Sequence, residues 1–92
     1  MAEDKESCLK NLENVIELET GIPALNLGLI RVENDTIYYR PVSAYTPQIL
    51  VIALGLQILK EVFKCGYQVK LENYYLRDEI NVRLEMIMNG LS

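Results

Sequence analysis

The hydrophobic and polar residues of this chain alternate in a four-residue pattern that occurs three times: apolar, basic, apolar, acidic. The three copies are Ile30-Arg31-Val32-Glu33, Val69-Lys70-Leu71-Glu72 and Val82-Arg83-Leu84-Glu85. Alternation with a period of two places the apolar pair on one face of a β-strand and the charged pair on the other. The pattern therefore predicts strands in a sheet with one buried face and one charged face.

The first 40 residues are predicted to form a helix followed by a β-hairpin. Residues 4–19 are amphipathic and acidic, and Gly21 and Pro23 follow them as a stop signal. Strands over residues 25–33 and 36–40 are joined by a two-residue turn at Asn34-Asp35, which makes a hairpin over 25–40. Its register places Val32 opposite Ile37, with Ile30–Tyr39, Arg31–Tyr38 and Glu33–Thr36 as the other pairs.

A core helix is predicted over residues 46–65. Thr46 is its expected N-cap, Pro47 takes the first helical position, and Gly66 ends it. The stretch from Ile49 to Leu59 is apolar except for Gln57, and it is far shorter than the roughly 20 residues of a membrane span.

The outward face of this core helix is polar over only half of its length. The front half carries an apolar patch instead, made of Leu50, Ala53 and Leu54. A helix lying on one sheet normally keeps its outer face polar. Either the first helix or a second subunit must therefore cover the patch, which we predict as a subunit interface.

The C-terminal segment fits two patterns. As a hairpin over residues 67–88, it pairs Lys70 with Glu85 and Glu72 with Arg83 in a single register. Alternation accounts for eight of the nine positions from Ile80 to Met88, so the strand is the preferred interpretation. The alternative is a helix over residues 78–89, opened by Asp78 and Glu79, which buries Ile80, Leu84, Ile87 and Met88.

The preferred interpretation predicts an α+β fold. The element order is α-β-β-α-β-β, with a four-stranded, mainly antiparallel sheet covered on one face by two helices. This order resembles a circular permutation of the ferredoxin-like plait, in which residues 80–88 would lie in the middle of the sheet. The resemblance concerns topology only, so it implies no function.

The composition is that of one small folded domain, because 92 residues with 50% hydrophobic content exclude a disordered chain. The net charge of −4 comes from residues 1–19, which hold six acids and two lysines, while the remainder is balanced at seven of each. An acidic chain is a poor match for non-specific duplex binding. The polar, acidic start is unlike a signal peptide, so we expect a cytoplasmic protein.

Sequence signatures of catalysis are scarce. The chain has no His, no Gly-rich phosphate loop and no Cys-pair zinc spacing, so neither a cofactor nor a metal is predicted. Cys8 and Cys65 are expected to be two buried thiols, although a disulfide stays open. Asp78-Glu79 is the closest acidic pair, and adjacent acids in a turn or helix cap are usually just solvated.

Aromatic and basic residues on the charged sheet face are the main candidate binding site. Open sheets stack unpaired bases on such side chains. The candidate residues are Arg31, Tyr38, Arg40, Lys70 and Arg83. Each basic residue has an acid within cross-strand reach, which weakens the attraction for phosphate, and a solvated charged face is the simpler interpretation.

Three functions follow from these features. We predict a small non-catalytic protein–protein interaction module, homodimeric and regulatory, accessory or inhibitory in role. The alternative is single-stranded nucleic-acid binding through the open sheet face. A small enzyme or enzyme subunit that uses Asp78 and Glu79 is the least favoured of the three.

Overall fold

Three helices and a three-stranded mixed sheet make up the structure, a computed structural model that describes residues 5–91. The elements follow in the order α1 (Lys5–Asn11), β1 (Ile30–Glu33), β2 (Thr36–Tyr39), α2 (Gln48–Val62), β3 (Gln68–Leu71) and α3 (Arg77–Leu91). Short 3-10 turns extend α1 over Leu12–Asn14 and α2 over Phe63–Cys65. The sheet order is β1-β2-β3, with β1 antiparallel and β3 parallel to β2.

The predicted four-stranded sheet with two helices is therefore wrong. The element order is α-β-β-α-β-α, because the C-terminal segment forms α3 rather than a fourth strand. The strand pairs of Lys70 with Glu85 and of Glu72 with Arg83 do not exist in this fold. The resemblance to a permuted ferredoxin-like plait fails with them, since it requires a strand at residues 80–88. The alternative helix over residues 78–89 is correct, and it buries Ile80 and Leu84 as expected, but Ile87 is 40% exposed and Met88 only half-buried.

Burial explains why the C-terminal segment is a helix. Ile80 and Leu84 are one turn apart, and both are completely or almost completely buried. Val82 and Met86 remain 56% and 68% exposed, as a helix requires of these positions. The acidic side chains of Asp78 and Glu79 lie in the first turn, where they interact favourably with the positive end of the helix dipole.

The β1–β2 hairpin has the predicted register. Ile30 pairs with Tyr39 and Val32 with Ile37 on one face, while Arg31 pairs with Tyr38 and Glu33 with Thr36 on the other. Asn34, the first turn residue, has a positive φ of 54°, a conformation that Asn tolerates better than most residues. The predicted start at residue 25 is too early, because backbone hydrogen bonds from Leu27 to Ala24 and from Gly28 to Leu25 make turns there.

The first helix is shorter than predicted. The chain leaves the helical conformation at Val15, and Ile16 then forms an antiparallel bridge with Pro23. The side chain of Gln57 stabilises this extended segment: the Ile16 N–H donates to Oε1 at 2.9 Å, and Nε2 donates to the Ile16 carbonyl at 2.8 Å. The predicted helix start at residue 4 lies outside the described residues.

The core helix α2 has the predicted C-terminal stop but not the predicted N-cap. Gly66 has a φ of 81° and ends the 3-10 turn that follows α2. At the other end, α2 begins at Gln48 without a side-chain cap. The Thr46 hydroxyl instead accepts a hydrogen bond from the Ser43 N–H at 3.2 Å, so it serves the preceding turn.

Gly55 sets the distance between α2 and the sheet. The Tyr39 hydroxyl donates to the Val51 carbonyl at 3.0 Å, so the ring crosses the helix surface at Gly55. A Cβ at Gly55 would lie 2.8 Å from Tyr39 Cζ and 3.1 Å from Leu84 Cδ2. Glycine is required because a methyl group would occupy the space of the buried ring. Burial raises the pKa of the Tyr39 hydroxyl, which stays protonated and acts as a donor.

A disulfide joins Cys8 of α1 to Cys65 in the turn after α2, with the two Cα atoms 6.5 Å apart. Both residues are buried, as expected, but the expectation of two separate thiols is wrong. The bond holds α1 against the C-terminal end of α2.

None of the helices between Lys5 and Leu91 has the length and apolar content that crossing a bilayer requires.

Candidate protein-interaction surfaces

The predicted interface patch on α2 is largely covered within the chain. Leu54 is only 3% exposed and belongs to the same buried cluster as Cys8 of α1 and Leu84 of α3. Leu50 and Ala53 are half-buried. The structure thus provides intramolecular cover for most of the patch, and it leaves a different residue of α2, Ile49, 74% exposed.

The open sheet face brings together part of the predicted binding site. Arg31, Tyr38 and Lys70 lie side by side in one row across β1, β2 and β3. Arg40 follows directly after β2 and lines a small cleft with Arg31 and Glu72. Arg83 lies in α3, so it does not belong to this face.

Arg31 is engaged by neighbouring side chains on the open face. Its Nη2 lies 3.0 Å from Glu72 Oε2, and its Nη1 forms a second ion pair with Glu33. The guanidinium carbon also lies 4.3 Å from the centroid of the Tyr38 ring. Hydrogen bonds with Glu72 first, and then with Glu33, raise the pKa of Arg31. Two carboxylates offset its charge, and it covers the ring on which a base would stack, so the geometry disfavours nucleic-acid binding here.

The two most exposed aromatic side chains among residues 5–91 line a cleft at the start of α2. Tyr45 is 93% exposed and Tyr75 is 79% exposed, and both line this cleft together with Pro47. We call these three residues the aromatic surface. Ile49, in the first turn of α2, lies just beyond it along the chain.

Hydrogen bonds hold the backbone beneath the aromatic surface. Thr46 and Ser43 bond reciprocally, because the Thr46 N–H donates to the Ser43 carbonyl while the Ser43 N–H donates to the Thr46 hydroxyl, both at 3.2 Å. The Tyr45 N–H donates to the Ser43 hydroxyl at 3.1 Å. Tyr45 is therefore an exposed ring on a fixed turn.

Tyr74 connects this turn to the segment before α3. Its buried hydroxyl donates to the Thr46 carbonyl at 2.7 Å. Its ring contacts Tyr75, with centroids 4.9 Å apart and planes tilted by 53°. Burial, followed by the influence of Tyr75, raises the pKa of Tyr74. The hydroxyl thus remains a hydrogen-bond donor at neutral pH. Its buried bond to the Thr46 carbonyl joins the turn that carries Tyr45 to the segment that carries Tyr75.

Sequence reasoning did not single out Tyr45. Tyr74 and Tyr75 are likewise absent from the candidate residues that the sequence predicts. The available signal was local: Tyr45 lies among Ser, Thr and Pro residues in a connection, where a large ring has no strand or helix face to pack against. The loop can either bury such a ring or leave it exposed to solvent, and the sequence pattern does not predict which.

The acidic residues between Lys5 and Leu91 show no arrangement for metal chemistry. Among residues 5–91, no three His, Cys, Asp or Glu side chains come together as a metal site would require. Asp78 and Glu79 are exposed, and Asp78 Oδ1 accepts from Arg77 Nε at 3.3 Å. Their position in the first turn of α3 accounts for both acids structurally.

Comparison with family models, with curated proteins and with solved structures finds no match to this chain.

Proposed function

We propose that this chain is a non-catalytic protein–protein interaction module that works as a homodimer in a regulatory, accessory or inhibitory role. The observation that supports the proposal is the aromatic surface: Tyr45 and Tyr75 are 93% and 79% exposed, and the backbone beneath them is held by hydrogen bonds, of which the one from Tyr74 to Thr46 is buried. Tyrosine is enriched at protein interfaces because its ring supplies apolar area and its hydroxyl a hydrogen bond.

The fixed turn beneath Tyr45 favours binding energetically. Ordering a loop and its side chains on association costs roughly 0.5–1.5 kcal/mol for each immobilised side chain. The hydrogen bonds of Thr46 with Ser43 and Tyr74 already order this backbone in the folded chain. Association therefore does not have to order the backbone a second time. Rings that are exposed but already positioned are what a binding surface requires.

Partner capture with matched variants tests the proposal. We expect the wild-type chain to retain a defined protein from its native cell extract, and the Tyr45→Ser/Tyr75→Ser double variant to lose it. Val82→Ser/Met86→Ser is the control, because it removes two other exposed apolar side chains, from α3. Equal capture by wild type and the Tyr45/Tyr75 variant would exclude the aromatic surface as the binding site.

We place the module in the cytoplasm as part of this proposal. Disulfides are uncommon in the cytoplasm, so the redox state of Cys8 and Cys65 in cells tests this placement. Acid quenching of cells followed by alkylation and mass spectrometry gives the thiol state. Reduced cysteines support a cytoplasmic protein, whereas a fully formed disulfide indicates an oxidising compartment.

A further inference from the structure

The two outer strands of the sheet differ in how their edges are protected. At the β3 edge, the side chain of Asn81 bonds with both backbone groups of Leu71: the N–H donates to Oδ1 at 2.7 Å, and Nδ2 donates to the carbonyl at 3.1 Å. The helix α3 packs against the same strand. The β1 edge has no equivalent protection among residues 5–91, so β1 is the strand that can still accept a neighbour.

The hydrogen-bond pattern identifies the backbone groups that β1 presents. The Arg40 N–H donates to the Leu29 carbonyl at 3.0 Å, which makes these two residues a hydrogen-bonded pair. In an antiparallel ladder such pairs alternate, so the backbone groups of Arg31 and Glu33 face β2. Those of Ile30 and Val32 face outward, and Val32 lies in the middle of the exposed edge.

Val32 also has an exposed side chain on the face of the sheet that carries the core. Ile37, directly opposite on β2, is completely buried, whereas Val32 is 41% exposed. The helix α2 packs over β3, at the far side of the sheet. The inner face of β1 is therefore left with little cover, and a neighbouring strand would bury the valine.

We infer that β1 pairs with β1 of a second copy, antiparallel about a two-fold axis, with Val32 opposite Val32 of the second copy. This inference rests on the proposed homodimer and specifies its surface. In this register, the two outward backbone groups of Val32 bond with those of the second copy. Arg31 lies opposite Glu33 of the second copy, and Glu33 opposite its Arg31, so both charged pairs are complementary. The sheet becomes a continuous six-stranded one.

The contact is small, since each β1 strand has only four residues. Stable interfaces bury roughly 1,200–2,000 Å² in total, so a short strand edge gives a weak, concentration-dependent dimer. The measurement therefore spans about 1 µM to 1 mM protein, where millimolar to micromolar dissociation constants are resolved.

Charge reversal provides a test specific to this register, read by sedimentation velocity. Arg31→Glu gives a chain with acids at both positions, and Glu33→Arg gives one with bases at both. We expect each variant alone to dimerise at least ten-fold more weakly than the wild type, because like charges then face each other. A one-to-one mixture should recover wild-type association, since both cross-strand pairs are complementary again.

A second variant addresses the backbone contact, and circular dichroism checks that each variant is folded. Val32→Pro removes an N–H that points away from β2, so the β1–β2 hydrogen bonds remain. We expect at least ten-fold weaker dimerisation, while the control Val82→Ser/Met86→Ser, whose exposed side chains lie on α3 at the other edge of the sheet, dimerises like the wild type. A wild-type dimer that no β1 variant weakens overturns the inference and leaves the proposed function standing. A wild type that is monomeric at every concentration overturns both the inference and the proposed homodimer.

Discussion

Asn81 forms with Leu71 the two hydrogen bonds that a neighbouring strand would form. Its amide accepts from the Leu71 N–H at 2.7 Å and donates to the Leu71 carbonyl at 3.1 Å. Gln57 bonds with both backbone groups of Ile16 in the same way. Each amide side chain thus bonds with the outward-facing backbone groups of an extended segment, on the side away from its strand partner. This role explains Gln57, the lone polar residue in the apolar run of α2.

Removing the Asn81 amide should destabilise the fold. Asn81→Ala leaves a partly buried N–H and carbonyl of Leu71 without a partner, which costs about 1–3 kcal/mol. Urea denaturation measures the loss. Arg83→Ala is the control on the same helix, and we expect a change within about 0.5 kcal/mol because its side chain is exposed. Equal effects of the two substitutions would contradict the role of Asn81.

The relation of Asn81 to Leu71 also explains what sequence reasoning could and could not establish. The β1–β2 register was predictable, because alternating apolar residues and a two-residue turn leave only one pairing with a consistent face. The end of α2 was predictable from Gly66. The C-terminal segment was not, because its alternation also fits a helix that exposes Val82 and Met86. Burial of Ile80 and Leu84 favours the helix, and Asn81 then bonds with the free edge of β3, a role that no periodicity reveals.

The candidate surfaces were predictable to a lesser degree. Arg31, Tyr38 and Lys70 share a sheet face because period-two alternation requires it. The opposing carboxylate was misassigned: Glu72 pairs with Arg31 across two strands rather than with Arg83. Tyr45 was missed because it lies in a connection, where neither helical nor strand periodicity applies. Its exposure is a property of the turn at Ser43 and Thr46.

Gly55→Ala should destabilise the protein despite adding helix propensity. The new methyl group would lie against the Tyr39 ring, and overpacking of a core typically costs about 1–3 kcal/mol. We expect Tyr39→Phe to relieve part of this cost in the double variant, because it removes the hydroxyl oxygen at that point. Thermal denaturation of the full mutant cycle measures the coupling.

Gly90→Ala is the matched control for Gly55→Ala. A Cβ at Gly90 meets no atom within 4 Å, and this glycine also lies in a helix. Replacing it by alanine should stabilise the protein by up to about 1 kcal/mol. If Gly55→Ala stabilises to the same extent, Gly55 does not determine the approach of α2 to the sheet.

Glu17 should make stability depend on pH in the acidic range. Burial opposes its ionisation, but the N–H groups of Glu19 and Thr20 donate to the carboxylate at 3.0 and 2.8 Å, and together with the Thr20 side chain they lower its pKa. A carboxylate whose pKa is lower in the folded than in the unfolded state stabilises the fold above the unfolded pKa. This stabilisation is lost as the pH falls through the folded pKa.

Comparison with Glu17→Gln isolates this contribution. At pH 7 we expect the variant to be less stable than the wild type, and the difference should shrink as the pH is lowered from about 4.5 towards 2. Chemical denaturation at a series of pH values gives both curves. A difference that is constant across this range would mean that the Glu17 charge does not contribute.

Reduction of the Cys8–Cys65 bond should lower the stability by about 2–4 kcal/mol, because the bond restricts the unfolded chain over a separation of 57 residues. Denaturation with and without a thiol reductant measures the difference. Cys8→Ser/Cys65→Ser should resemble the reduced wild type and should not respond to reductant. A wild type whose midpoint is the same under both conditions would contradict a stabilising disulfide.

The same bond closes part of the chain into a covalent ring, which is followed by a C-terminal tail. The ring runs from Cys8 to Cys65 and contains the β1–β2 hairpin and α2, while β3 and α3 follow it as an open tail. A single peptide-bond cleavage between these cysteines opens the ring but leaves one molecule of unchanged mass apart from the added water. A single cleavage in the tail releases a fragment. The disulfide thus keeps the hairpin and the core helix joined even after their connection is cut.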